Sequence, residues 1–240
     1  MNMDALTFGR LRGFRGADKW LLLLSIGCSL VYLATQSVQP FPGSIVLKAL
    51  SIAPLAVLAV RLLRGAKPSG IGWLRDRDNL ILGAALALSS LGDIYLDWGG
   101  HFSDGLKAFL FAHFAYILLF VRNWPRPLRP SGGQLILVAV VLVYSLLLSN
   151  WLSSSLGAQA VPVMVYMCAI TVMTVSTILA GFSRRFVWIG AMLFMLSDSM
   201  IAAGRFKTPV PLDDYLVWAT YYLGQYCIAV GFLREKLGER

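Results

Sequence analysis

The chain has 240 residues, 58% of them hydrophobic and only 14% charged, with a net charge of +9 and a mean hydropathy of +0.69. A soluble domain carries about 25% charged residues, and one of this size cannot hide so much apolar surface in a single core. The composition excludes a disordered chain and a water-soluble globule, and makes lipid the solvent for most of the protein.

A helix that crosses the hydrocarbon core needs about 20 mostly apolar residues. In chain order, residues 1–19 form a basic arm, and the apolar run 20–38 follows it. That run is long enough to span and is not closed by a small-residue cleavage site, so it reads as a retained first helix rather than a signal peptide. The second segment, 44–63, carries Lys48 and Pro54. The third, 79–98, places Ser89, Asp93 and Asp97 at i, i+4 and i+8, one polar stripe. The fourth, 105–121, holds His113 and Tyr116 on one face. Segments 133–150 and 158–182 come next. The seventh, 186–203, contains Asp198. The eighth, 214–233, carries Tyr222, Gln225 and Tyr226, with Tyr221 reaching Gln225 at i+4, and a short tail closes the chain over 234–240.

Pro and Gly mark the gaps, and the connections are too short to hold a second domain. The alternation of a membrane β-barrel is absent. The expected fold is therefore all-α: a polytopic bundle of eight transmembrane helices over 20–233. Cys28, Cys168 and Cys227 all lie in apolar runs at no metal-like spacing, and read as packing residues.

Basic residues set the orientation. Of the 21 Lys and Arg, 17 lie in the arm, in alternate connections and in the tail, leaving Lys48, Lys107, Arg205 and Lys207 for the other side. Both termini are expected in the cytoplasm, in a bacterial inner membrane. The charge is spread over short loops rather than gathered in one aromatic-laced patch, which speaks against nucleic acid as a partner.

An ionisable group inside a membrane is costly, and tends to face a cavity or a partner. Asp93, Asp97, Asp198, Lys48 and His113 stand out on that ground, while the loop carboxylates read as solvated. With this orientation, Asp93, Lys48 and Asp198 fall one to two turns below the non-cytoplasmic ends of their helices. His113 lies nearer the middle, and Asp97 and Arg205 lie near the mouth. The polar stripes imply a water-accessible cavity in that half of the membrane. Plainer readings stay open. Lys48 can snorkel to the interface, Asp97 can belong to a loop, and His113 can be a hydrogen-bonded core imidazole. Either Asp93 or Asp198 can be a structural ion-pair partner of Lys48 or Arg205.

Four local patterns occur in order. They are Ser89-Ser90-Leu91-Gly92-Asp93; Gly105-x-x-Ala108-Phe109-x-x-Ala112-His113-x-x-Tyr116; Gly190-Ala191-x-x-Phe194-x-x-Ser197-Asp198 followed by Arg205-Phe206; and Tyr222-x-x-Gln225-Tyr226 with Gly231. With Lys48 six residues before Pro54, they resemble the YhhN-like family of membrane proteins, from about Lys48 to Gly231. Asp97 stands outside the pattern. The resemblance implies a lysoplasmalogenase, which cleaves the vinyl ether of a lysoplasmalogen to a fatty aldehyde and a glycerophospho-base.

A vinyl ether opens on protonation at carbon. Water adds to the resulting oxocarbenium ion, and the hemiacetal collapses to aldehyde and alcohol. Such chemistry needs one carboxyl held protonated and another held ionised, as in glycoside hydrolysis. On this reading Asp93 and Asp198 are the expected acid–base pair. Lys48, His113, Tyr116, Tyr222, Gln225, Ser89 and Asp97 support or bind, and Arg205 meets the phosphate. A lysophospholipid and membrane lipid are the expected partners. No metal or other cofactor is required, and two histidines cannot build a His-rich zinc site. The competing reading is a proton-coupled transporter or channel for a lipid or small solute, which also uses intramembrane Asp and Lys.

Overall fold

The computed structural model describes residues 14, 16–62, 72–182 and 185–237, with side chains from residue 77 onward in the third helix. Most of the basic N-terminal arm lies outside the described residues, as do Arg64, Lys67, Arg184 and Arg240 among the cations used for orientation. Among the described residues there are eight helices long and apolar enough to span, and no strand. They are α1 (Gly16–Ala34), α2 (Ser44–Arg61), α3 (Gly72–Asp97), α4 (Phe102–Arg122), α5 (Gly132–Ser153), α6 (Ala160–Leu179), α7 (Phe186–Phe206) and α8 (Asp213–Lys236).

Each helix falls on its expected apolar segment. The largest difference is at α3, which starts at Gly72 rather than near residue 79, because the charged stretch 75–78 continues the helix past the apolar run. Asp97 is the last residue of α3 and not part of a loop.

Helices α2, α3, α4, α6, α7 and α8 close a ring, α8 returning to α2 and α3. α1 packs on α2 and α8, while α5 lies outside the ring against α6 and one edge of α7. Glycine sets the closest approaches. A Cβ on Gly190 would stand 2.6 Å from the carbonyl oxygen of Gly224, so α7 and α8 cross backbone to backbone. A Cβ on Gly92 would stand 2.5 Å from the Phe109 ring, so α4 packs directly beside Asp93. Small residues permit such contacts where lipid gives no hydrophobic drive for helix association. In α2, Pro54 has no N–H for the Leu50 carbonyl. The neighbouring carbonyls of Ala49 and Ser51 accept from the Ser90 and Ser25 hydroxyls, which ties α2 to α3 and α1 at the level of Lys48.

The two ends of the bundle differ. At the end carrying both termini, Asp78 is buried and accepts from Arg122 Nε at 2.8 Å, Lys236 Nζ at 2.8 Å and Asn123 Nδ2 at 3.3 Å. This cluster joins α3, α4 and α8. Asp18 is likewise buried, 3.3 Å from Arg61 Nε. The sequence suggested solvated carboxylates at both positions; the structure corrects this, because the helices extend past their apolar runs and pack there. Asp78→Ala strands two half-buried cations. A loss of about 2–3 kcal/mol is expected, below the figure for a fully buried pair because both cations keep some solvent. Thermal unfolding of the purified variant in detergent checks this, and an unchanged midpoint would show the cluster to be dispensable.

Candidate active site

At the opposite end, formed by the α1–α2, α3–α4 and α7–α8 connections, a cavity of about 570 Å³ opens into the bundle. Lys48, Asp93, Asp97, Asp198, Arg205 and Tyr221 line it, so α2, α3, α7 and α8 all deliver polar side chains to one space. Asp93 and Asp198, far apart in sequence, face the same cavity.

Asp93, Asp97 and Asp198 each meet a tyrosine. Asp93, 2% exposed, accepts from the Tyr221 hydroxyl at 2.7 Å. Asp97 accepts from the Tyr32 hydroxyl at 2.8 Å. Asp198 accepts from the Tyr166 hydroxyl on α6. Lys48 pairs with Asp97 at 2.5 Å, and its ammonium lies 5.5 Å from the Tyr32 ring centroid and 5.8 Å from that of Trp218. Of the readings open for Lys48, an ion pair with Asp93 or Asp198 is not the one found. Its ion-pair partner is Asp97, one helical turn beyond Asp93 and nearer the mouth. Among the described residues neither Asp93 nor Asp198 is paired with Lys or Arg. The Arg205 guanidinium also has no ion pair among the described residues. It stacks on the Phe102 ring at 3.7 Å, and so stands at the cavity with its N–H groups available.

His113 is fully buried between the rings of Tyr166 and Phe194. Its Nε2 lies 3.5 Å from Asp198 Oδ2, an ion-pair distance without hydrogen-bond geometry, and its Nδ1 has no hydrogen-bond partner among the described residues. Behind the cavity, Tyr116 donates to Gln225 Oε1, with Ser89 buried beside that pair. Tyr116, Gln225 and Ser89 are thus brought together, one layer back from the two aspartates. Tyr222 is not: its hydroxyl meets Ser25 of α1 at 2.9 Å, away from the cavity lining. Tyr221 faces Asp93 instead, because consecutive residues on a helix point about 100° apart.

A second, narrower and mostly apolar cleft runs between α4, α5, α6 and α7. Leu106, Leu148, Met167, Ile170 and Met195 wall it, and the Tyr166 ring lies along it. The cavity and the cleft share Phe109, Asp198 and Ile201. Tyr166 and this cleft carried no signal in the sequence, since a single tyrosine in an apolar run reads as packing. The signal for Tyr221 was its i, i+4 spacing from Gln225.

The combined site suits an amphiphile. The cavity is the wider and carries the charged groups, the cleft is narrow and apolar, and a carboxyl stands where the two join. The chain matches the YhhN family over residues 43–232. The lysoplasmalogenase of Mycobacterium bovis is 33% identical over 209 residues, covering 84% of this chain and 78% of that protein. The mouse lysoplasmalogenase TMEM86B is 30% identical over 218 residues, covering 90% and 88%. Its human counterpart is 32% identical over 157 residues, covering 65% of each. No solved structure matches the chain.

Proposed function

The chain belongs to the YhhN family, and from that premise we propose that it is a lysoplasmalogenase, hydrolysing the vinyl ether bond of a lysoplasmalogen in the cavity at the end of its bundle. The observation that carries the reading is the meeting of cavity and cleft at Asp198. In a lysoplasmalogen the scissile ether is the bond where the chain joins the polar glycerol. Chain in the cleft and head group in the cavity bring that bond beside Asp198, with Asp93 facing the same space.

One of the two carboxyls donates a proton to the second carbon of the chain, and positive charge develops across C1 and the ether oxygen. The other takes a proton from the water that adds to C1. The hemiacetal then collapses: its hydroxyl oxygen becomes the aldehyde oxygen, and the glycerol oxygen leaves with a proton. Arg205 is placed to hold the phosphate, and its planar fork suits two phosphate oxygens. Asp213 and Asp214, at the rim of the same cavity, offer negative charge to an ethanolamine or choline amine. The Lys48–Asp97 pair fixes the ends of α2 and α3 around Asp93 and adds no net charge. Tyr116, Gln225 and Ser89 support Asp93 and Tyr221 from behind.

The carrier reading has less support, since the Asp78 cluster packs the far end of the bundle. Purified protein in detergent, given lysoplasmenyl-ethanolamine, is expected to release a fatty aldehyde and glycerophosphoethanolamine in equal amounts. A carrier needs two compartments and would release neither.

A further inference from the structure

Tyr166 lines the cleft and reaches Asp198, one of the residues that cleft and cavity share. Its hydroxyl donates to Asp198 Oδ2, its ring lies along the apolar cleft, and it is buried. The His113 ring packs on it with centroids 4.9 Å apart, and His113 Nε2 approaches the same Oδ2 at 3.5 Å. Both contacts fall on one oxygen. Oδ1 receives no hydrogen bond among the described residues, and is the oxygen left for substrate or water. A carboxyl that accepts one fixed hydrogen bond has its plane set by that bond. Without it, the side chain turns between rotamers and the reacting oxygen is misplaced, which is costly even at distances of about 1 Å.

We propose that Tyr166 is a positioning residue for hydrolysis. Its hydroxyl holds Asp198 so that Oδ1 is presented at the junction of cavity and cleft, and its ring walls the chain beside the scissile bond. The proposal rests on the reading that Asp198 takes part in the reaction. It assigns two separable roles to one side chain, with two different kinetic signatures: loss of the hydroxyl acts on the chemical step, and loss of the ring acts on chain binding as well.

The test uses the full chain purified in detergent and long-chain lysoplasmenyl-ethanolamine. Tyr166→Phe keeps the ring. It is expected to lower kcat by about 10- to 100-fold, the scale of misplacing a reacting group by about 1 Å, to leave KM within about twofold, and to move one limb of the pH profile of kcat/KM. Tyr166→Ala should lower kcat similarly and raise KM in addition. Tyr144→Phe, on the lipid-facing side of α5, is the control and should match the parent. Combining Tyr166→Phe with Asp198→Asn should cost no more than Asp198→Asn alone, because the hydroxyl acts only through that carboxyl. Parent-like kcat and pH profile in Tyr166→Phe, with Asp198→Asn inactive, would overturn this proposal and leave the proposed function standing. An active Asp198→Asn would overturn both. If Tyr166→Phe were too unstable to purify, the Asp198→Asn background would decide. Further loss of residual kcat at saturating substrate on adding Tyr166→Phe there would contradict action through Asp198, and no further loss would support it.

Discussion

Asp93→Asn and Asp198→Asn are each expected to lower kcat by about 10²- to 10⁴-fold, the range over which a positioned acid or base contributes, while leaving the bundle folded. The substitution is nearly isosteric, and at both positions the side chain accepts a tyrosine hydroxyl hydrogen bond that an amide oxygen also accepts. What it removes is the capacity to give or take a proton. Asp97→Asn removes a carboxyl from the same cavity, but from the one already paired with Lys48. It is expected to weaken the ends of α2 and α3 and to reduce turnover far less. The contrast among three aspartates of one cavity is what separates proton transfer from simple negative charge. Steady-state kinetics with purified variants, alongside thermal unfolding, measures it, and parent-like kcat in both Asp93→Asn and Asp198→Asn would remove the acid–base pair from the reaction.

The second expected result is one of sidedness. The cavity opens at the end of the bundle away from the termini, and on the Lys and Arg distribution we propose that this end faces away from the cytoplasm. Head group and water would then enter, and the glycerophospho-base leave, on the non-cytoplasmic side. With Cys28, Cys168 and Cys227 replaced, a cysteine at exposed Ser37, beside the cavity mouth, should react with an impermeant maleimide in intact spheroplasts. A cysteine at exposed Leu128, in the α4–α5 connection, should react only once the membrane is opened. The reverse pattern would turn the site toward the cytoplasm and change which leaflet supplies the substrate.

Much of this was legible in the sequence, for a physical reason. A chain that must bury its backbone polar groups in lipid can only cross as helices, so apolar length alone locates them. The cost of intramembrane charge then singles out Asp93, Asp97, Asp198, Lys48 and His113; the first four line one cavity, and His113 is buried against Asp198 outside its lining. What was not legible depends on which helix neighbours which. Lys48 lies level with several carboxylates, and only the packing of α2 on α3 shows that its partner is Asp97. Tyr166 sits in α6, whose polar hydroxyls mostly bond to their own backbone. Nothing in its spacing separates it from packing residues. Asp78 was hidden because a charge at the end of an apolar run looks solvated until helices extended past the hydrocarbon close around it. Tyr222 and Tyr221 are adjacent in sequence, and their roles are divided by helix rotation alone.

The most direct measurement is hydrolysis of lysoplasmenyl-ethanolamine by the purified protein in D2O, with the aldehyde trapped by reduction and weighed by mass spectrometry. Protonation at carbon by an enzyme acid predicts one deuterium on the chain carbon next to the carbonyl in every turnover, and no such product above background from the Asp93→Asn Asp198→Asn double variant. Aldehyde without that deuterium, or labelled aldehyde formed at the parent rate by the double variant, would contradict it.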